Sequence, residues 1–241
     1  MELCLHPEHI ELDGETFSAA EIVEVLGAYL TSERRERIAA VVAGRTYSVV
    51  PVMEGLYDRG NVSAVLRSAE ALGYQAVHNI DSCQNFKEAK RVTQGAEKWL
   101  DITVWEQTAP CLAHLRERGY RILATHLEDA QPITDFAFDV PTALIFGNEK
   151  EGVSEEALAA ADARVVLPMS GFTQSFNISV AAALCLYEIQ QDRIRRMGTH
   201  GDLSDAEQVR LTAALYLRSI EFAEHALLKH LAERQSPDWL S

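Results

Sequence analysis

Positive charge is scarce in this chain. Lysine and arginine total 22 against 36 aspartates and glutamates, a formal net charge of −14. A balance this acidic excludes a generally basic surface of the kind that grips nucleic acid everywhere, so any polyanion partner has to meet local patches. Cysteine is scarce as well. Cys4, Cys83, Cys111 and Cys185 are far apart and form no C-x-x-C pair, which argues against a disulfide framework or a zinc site and for free buried thiols. His6 and His9 stand near Cys4, but no second ligand pair accompanies them, so they read as surface and no metal is expected. No run of about 18 apolar residues occurs, so no membrane span is expected. The opening segment MELCLHPEHIELDGE is acidic, without a basic leader and apolar core, and a cytoplasmic protein is expected. Also missing is any G-x-G-x-x-G, which weakens a dinucleotide-dehydrogenase reading. Gly147 and Gly152 have P-loop spacing, but Val153-Ser154 follows where Lys-Ser/Thr should stand, so that motif is rejected.

What is present is an ordinary globular composition, 47% hydrophobic and 24% charged over 241 residues, enough for one sizeable domain with helical additions. Residues 18–30 and 32–43 read as helices, the first capped by Ser18, the second carrying its arginines outside and stopping at Gly44. From Tyr47 strands and helices alternate. Strands are expected at 48–53, 75–80, 100–106, 120–126, 141–148 and 164–167, and helices at 61–74, 85–98, 111–119, 154–162 and 174–196. Pro51 suggests an edge or irregular place for the first strand. The alternation predicts an α/β domain with a mainly parallel sheet and helices on both faces. A last amphipathic helix is expected over about 204–234, after a break at Gly198 to Gly201, packed on the domain or on a partner. The expected organisation is a helical extension to residue 45, a central domain over 46–197, and a terminal helix over 198–241.

Three stretches carry polar residues where chemistry happens. Residues 61–67, NVSAVLR, enter a helix after a loop, with Asn61 suited to cap it and Ser63 and Arg67 four apart on one face. An arginine there can hold a phosphate by paired charge-assisted bonds, and equally can be a surface arginine paired with Glu70 or Asp58. Residues 145–154, IFGNEKEGVS, close the most apolar strand, beyond whose carboxyl end ligands bind in open parallel sheets. Residues 164–190, RVVLPMSGFTQSFNISVAAALCLYEIQ, run from strand through a Gly/Pro turn into a small-residue helix near Ile178, and helix capping alone accounts for its Ser and Asn. Basic patches fall at Arg34, Arg35 and Arg37 with Arg45; at Lys87, Lys90 and Arg91 with Lys98; and at Arg193, Arg195 and Arg196.

Taken together, N-x-S-x-x-x-R, then F-G-N-E-x-x-G-V-S, then L-P-M-x-G-x-x-x-S-x-N-x-S-V-A-A-A resemble the three signature motifs of the SpoU/TrmH branch of the SPOUT RNA methyltransferases, in order and suitably separated. QGAEKW (94–99) and YRILATH (120–126) resemble the intervening segments, and the match covers about residues 31–196. The arginine-rich first helix and the terminal helices look closest to the tRNA guanosine 2′-O-methyltransferases.

The resemblance implies a C-terminal trefoil knot in the sheet, which no periodicity reveals because knots are nearly absent among folds. It implies S-adenosylmethionine bound at Thr125, His126, Gly147, Leu167, Met169 and Phe176. It implies a homodimer in which Arg67 of one subunit faces the other's cofactor, with Asn61, Arg67, Glu149, Ser175 and Asn177 as catalytic residues. Arg34, Arg35, Arg37, Arg59 and Lys98 become the candidate RNA contacts, with Arg193 to Arg196 secondary. The acidity of the chain departs from the basic character of tRNA-binding members. The expected activity is 2′-O-methylation of a guanosine in tRNA. The alternatives are ribosomal RNA or another tRNA site, or a non-catalytic RNA-binding module of the same fold.

Overall fold

A computed structural model of the chain describes residues 3–80 and 95–235. Two compact units emerge. One comprises residues 1–3 and 45–202; the other joins residues 4–44 to 203–241, so the helices at both ends of the chain cluster together.

The larger unit is an α/β sheet. Its strands are β3 (Val49–Glu54), β4 (Ala76–Ile80), β5 (Asp101–Trp105), β6 (Arg121–Thr125), β7 (Gln131–Pro132), β8 (Thr142–Phe146) and β9 (Ala163–Val166), in the order β5-β4-β3-β8-β6-β9-β7. Every pairing is parallel. The connecting helices are α3 (Arg59–Ala71), α4 (Thr108–Glu117), α5 (Glu155–Ala160) and α6 (Ile178–Met197). The expected helix over 85–98 lies largely outside the described residues, as do Cys83, Lys87, Lys90 and Arg91; only a 3-10 turn at Ala96–Lys98 is described.

Pro51 does not put β3 at an edge. β3 is central and buried throughout, pairing with β8 from Val49 to Met53, while its ladder with β4 starts only at Val52. The proline's missing N–H is tolerated where that second ladder has not yet begun.

α3 and α6 share the main core, in which Val65, Leu66 and Ala69 meet Ala182, Leu186 and Ile189. Two cations expected on the surface are instead consumed inside. Arg193 is fully buried, donating to the carbonyls of Phe138 (2.8 Å) and His200 and to the Asp202 carboxylate (2.6 Å). Arg45 is 1% exposed and bonds Glu70 (2.6 Å) and the Glu70 and Tyr74 carbonyls. Arg195 and Arg196 are held by Glu188 and Asp192. Cys4, Cys111 and Cys185 are buried and in no disulfide, and burial pushes the Cys111 and Cys185 thiols up to about 12, so they stay protonated.

Two buried histidines contribute to the acid sensitivity of this unit. Burial, with His114 and Arg118 nearby, lowers His78 from 6.5 to about 4. Burial, with Arg193 and Arg45 opposing protonation and Asp202 favouring it, lowers His200 to about 4 as well. Both are neutral when folded, so below pH 6.5 the unfolded chain binds more protons than the native one. Their stabilising contribution is complete above that pH and is lost as pH falls toward 4, at about 3 kcal/mol per group at most. Urea midpoints are expected to be level near pH 7 and to fall between pH 6.5 and 4. Both ring nitrogens of His200 lack partners among the described residues, and its ring meets Tyr74 edge-on. His200→Phe therefore keeps the packing and is expected to flatten that fall.

In the smaller unit, β1 (His9–Leu12) and β2 (Glu15–Ser18) form an antiparallel hairpin turned by Asp13 and Gly14, both at positive φ. Asp-Gly between two short strands is the sequence signal for such a turn. α1 (Ala19–Gly27), capped by Ser18, packs against α7 (Asp205–Ser219) and α8 (Ala223–Gln235), and α2 (Ser32–Ala43) against α7. The single helix expected over 204–234 is thus two. The backbone of Ile220 is extended (φ −111°, ψ 115°) and its side chain is buried, so the chain turns there instead of continuing.

Candidate active site

The carboxyl ends of β6, β8 and β9 open into one cleft of about 740 Å³, a size typical of small-molecule sites. All six expected cofactor residues, Thr125, His126, Gly147, Leu167, Met169 and Phe176, line it, together with Glu149, Ser175 and Asn177. Residues from four separate stretches of sequence are thereby brought to one wall-to-wall space.

The loop after β8 is built for close approach. A Cβ on Gly147 would sit 2.0 Å from the backbone carbon of Gly152, so only glycine permits the two strands of the loop to touch. Asn148 and Gly152 exchange backbone bonds of 3.1 Å each, and Gly152 takes the left-handed φ of +72° that closes the loop. The Asn148 side-chain oxygen accepts from the amides of Lys150 (2.8 Å) and Glu151 (2.7 Å). A further anchor was not anticipated. Glu54, ending β3 and 7% exposed, accepts from the Ser154 amide and hydroxyl and from the Thr108 hydroxyl. A charge closing an otherwise apolar strand was the sequence signal for it.

Three of the five expected catalytic residues form one chain of hydrogen bonds. Asn61 Nδ2 donates to Glu149 Oε1 (2.5 Å), and Asn177 Nδ2 donates to Asn61 Oδ1 (3.2 Å). Asn177 Oδ1 then accepts from the Ser179 and Val180 amides at the start of α6. The direction is dictated: an ionised carboxylate only accepts, so Glu149 fixes which way each amide faces, ending on the bare N–H groups of a helix. Asn61 does not cap α3 as its position suggested. Asp58 is the cap, its carboxylate accepting from the Asn61 amide (2.9 Å), which frees the Asn61 side chain for Glu149.

Arg67 stands apart. It is exposed on α3, with no hydrogen bond or ion pair among the described residues, and lines a different groove with Ser68, Gly95, Ala96 and Trp99. Ser63, expected beside it, is buried at 3% exposure. Glu70, the expected partner for a merely structural Arg67, is occupied by Arg45. Ser175 is exposed at the cleft rim. Of the candidate RNA contacts, Arg34, Arg35, Arg37, Arg59 and Lys98 are all exposed; Arg35 also donates to the Gly27 carbonyl, and the Lys98 ammonium lies 5.3 Å from the Trp99 ring. No cluster of metal-ligating residues occurs among the described residues, nor any helix long and apolar enough to cross a membrane.

Comparison with known proteins finds relatives over more than two thirds of the chain. Over 166 residues the chain is 37% identical to the tRNA (guanosine(18)-2′-O)-methyltransferase of Thermus thermophilus, covering 68% of this chain and 86% of the relative. Identity to the enzyme of the same name from Escherichia coli is 36% over 182 residues, 74% of this chain and 80% of the relative. The crystal structure of the Aquifex aeolicus TrmH/SpoU tRNA modifying enzyme superposes with a TM-score of 0.70 at 29% identity, covering 78% of this chain and 97% of that one. The SpoU methyltransferase AviRb of Streptomyces viridochromogenes, in complex with AdoMet, gives 0.56 at 26% identity over 60% of this chain and 57% of its own. Residues 48–187, from the start of the sheet to the middle of α6, match the SpoU rRNA Methylase family, and the chain belongs to that family.

Proposed function

We propose that this protein methylates the ribose 2′-hydroxyl of a guanosine in tRNA, with S-adenosylmethionine as methyl donor, and that it does so as a homodimer. The observation that carries the reading is the Glu149–Asn61–Asn177 chain at the rim of a cleft lined by all six expected cofactor residues. The cleft suits the donor: Leu167, Met169 and Phe176 offer apolar faces for a base, while the glycine-closed loop at 147–152 brings backbone within reach of a ligand. S-adenosylmethionine supplies an electrophilic methyl group when bound. The chain's own residues supply alignment, which such a transfer needs more than a strong acid. Asn61 and Asn177 orient the ribose and loop, Glu149 holds Asn61 in register, and Ser175 closes the rim. Arg67 holds the substrate phosphate and assists removal of the hydroxyl proton.

What supports the dimer is that the groove of Arg67 and the cleft share no lining residue, an arrangement in which a second copy would present the arginine. Val180, Leu184 and Tyr187 form an exposed apolar stripe on α6 that such a copy would cover. The path from β8 through α6 is read as the family's trefoil knot, supported by the convergence of three loops on the one cleft. RNA is assigned to Arg34, Arg35, Arg37, Arg59 and Lys98. In so acidic a chain, patches rather than a whole surface provide the attraction.

The test is methyl incorporation from labelled S-adenosylmethionine into unmodified tRNA and, separately, ribosomal RNA, with nucleoside analysis of the product. A 2′-O-methylguanosine in tRNA, at the position 18 named for the relatives, is expected. Cofactor binding without incorporation into either RNA overturns the reading in favour of a binding module.

A further inference from the structure

The groove beside Arg67 is also lined by Trp99, which the methyl-transfer reading does not use. It measures about 580 Å³ and is walled on one side by α3, with Ala64, Arg67 and Ser68, and on the other by Gly95, Ala96 and Trp99. Its acidic member, Glu70, is neutralised by buried Arg45 at 2.6 Å. What remains facing the groove is a guanidinium with no partner among the described residues and a half-buried indole, with the Lys98 ammonium 5.3 Å from that indole.

The backbone that carries the indole is held by hydrogen bonds. The Trp99 amide donates to the Ala96 carbonyl (3.0 Å), and the Trp99 carbonyl accepts from the side chain of Gln75 (2.9 Å), which is itself wholly buried. Gln75 is tied in turn to Asp101, whose carboxylate accepts from the buried Tyr47 hydroxyl at 2.5 Å. An aromatic beside a permanent cation is the pairing that binds a nucleotide: the ring stacks on a base, the guanidinium and ammonium take flanking phosphates.

We infer that the groove between α3 and residues 95–99 is a nucleotide subsite in which Trp99 stacks a base of the RNA substrate while Arg67 and Lys98 hold its backbone. The inference rests on the RNA-methyltransferase reading for the identity of the ligand, and on nothing about catalysis. Placing the stacked base next to Arg67 makes Trp99 a positioning residue: it fixes the nucleotide whose backbone the arginine holds.

The experiment measures RNA affinity and KM, cofactor affinity and tryptophan fluorescence for wild type, Trp99→Ala and Trp99→Phe, using unmodified tRNA transcript as probe. Trp99→Ala is expected to raise the Kd and KM for tRNA about ten- to a hundredfold while leaving cofactor Kd in place. Trp99→Phe, which keeps a stacking face and guards against a folding defect, is expected to recover most of that loss. Quenching of wild-type fluorescence by tRNA, read without cofactor, is expected to disappear in Trp99→Phe. Unaltered tRNA affinity in Trp99→Ala, or identical quenching in Trp99→Phe, overturns the subsite and leaves the methyltransferase reading standing. Trp99-dependent quenching in a protein that methylates no RNA does the reverse.

Discussion

Arg67→Ala is expected to lower methyl transfer to tRNA by about 10²–10³-fold, the loss seen when one preorganised charge-bearing donor is removed from a reacting centre. Cofactor affinity should change little, because the six residues assigned to the cofactor all line the cleft of one subunit and Arg67 is not among them. Stability should not move either, since the side chain is exposed and makes no ion pair among the described residues. The sharper result comes from mixing. Glu149→Ala breaks the cleft side of the site by releasing Asn61, while leaving Arg67 untouched. Each variant alone is expected to be inactive. Unfolded and refolded together in equal amounts, they should form mixed dimers in which the Arg67 of one subunit meets the intact cleft of the other, restoring about a quarter of the wild-type sites. If Arg67 served its own subunit's cleft, every site in the mixture would carry a defect and no activity would return. The mixing experiment therefore tests dimer and shared site in one measurement of initial rate.

The parallel sheet was legible because alternating apolar strands and capped helices leave few other arrangements; Ser18, Ser154 and Gly44 all sit where their chemistry put them. Legibility failed where tertiary contacts outvoted local ones. Arg193 and Arg45 look like surface cations in sequence, but each finds buried carbonyls and a carboxylate from residues distant in the chain. Pro51 argues locally against a central strand and is overruled by burial on both faces. Asn61 and Asp58 both suit a cap; the choice of Asp58 is decided by Glu149, 88 residues away, which claims the asparagine. The cleft residues assigned to the cofactor were legible only through the motif resemblance, since nothing in local pattern announces that 125, 147 and 167 open on one cleft. Glu54 lay outside those motif assignments. Its anchoring role depends on Ser154, a contact that exists only after folding.

Gly147→Ala is expected to be the most damaging single methyl group in the cleft. The added carbon would lie 2.0 Å from the Gly152 carbonyl carbon and 2.1 Å from both the Gly152 oxygen and the Val153 nitrogen, all backbone atoms with no rotamer to yield. The loop must open, breaking the Asn148–Gly152 pair and shifting a wall of the cleft by an ångström or more, a displacement worth about a hundredfold where alignment matters. Cofactor affinity, read by calorimetry, is expected to fall by that order. Stability should fall by about 1–3 kcal/mol, because Glu54 still pins the far end of the loop through Ser154 and β8 is buried independently of it. Gly152→Ala separates the two reasons a glycine can be required. A Cβ there meets nothing within 4 Å, and its only penalty is the left-handed φ of +72°, about 1–2 kcal/mol. Gly152→Ala should thus lose stability on a similar scale while keeping most of its cofactor affinity. Equal cofactor binding by Gly147→Ala and wild type would show that the loop is not a wall of the binding site. Equal damage from both glycines would show that the loop's turn, rather than the contact across it, shapes the cleft.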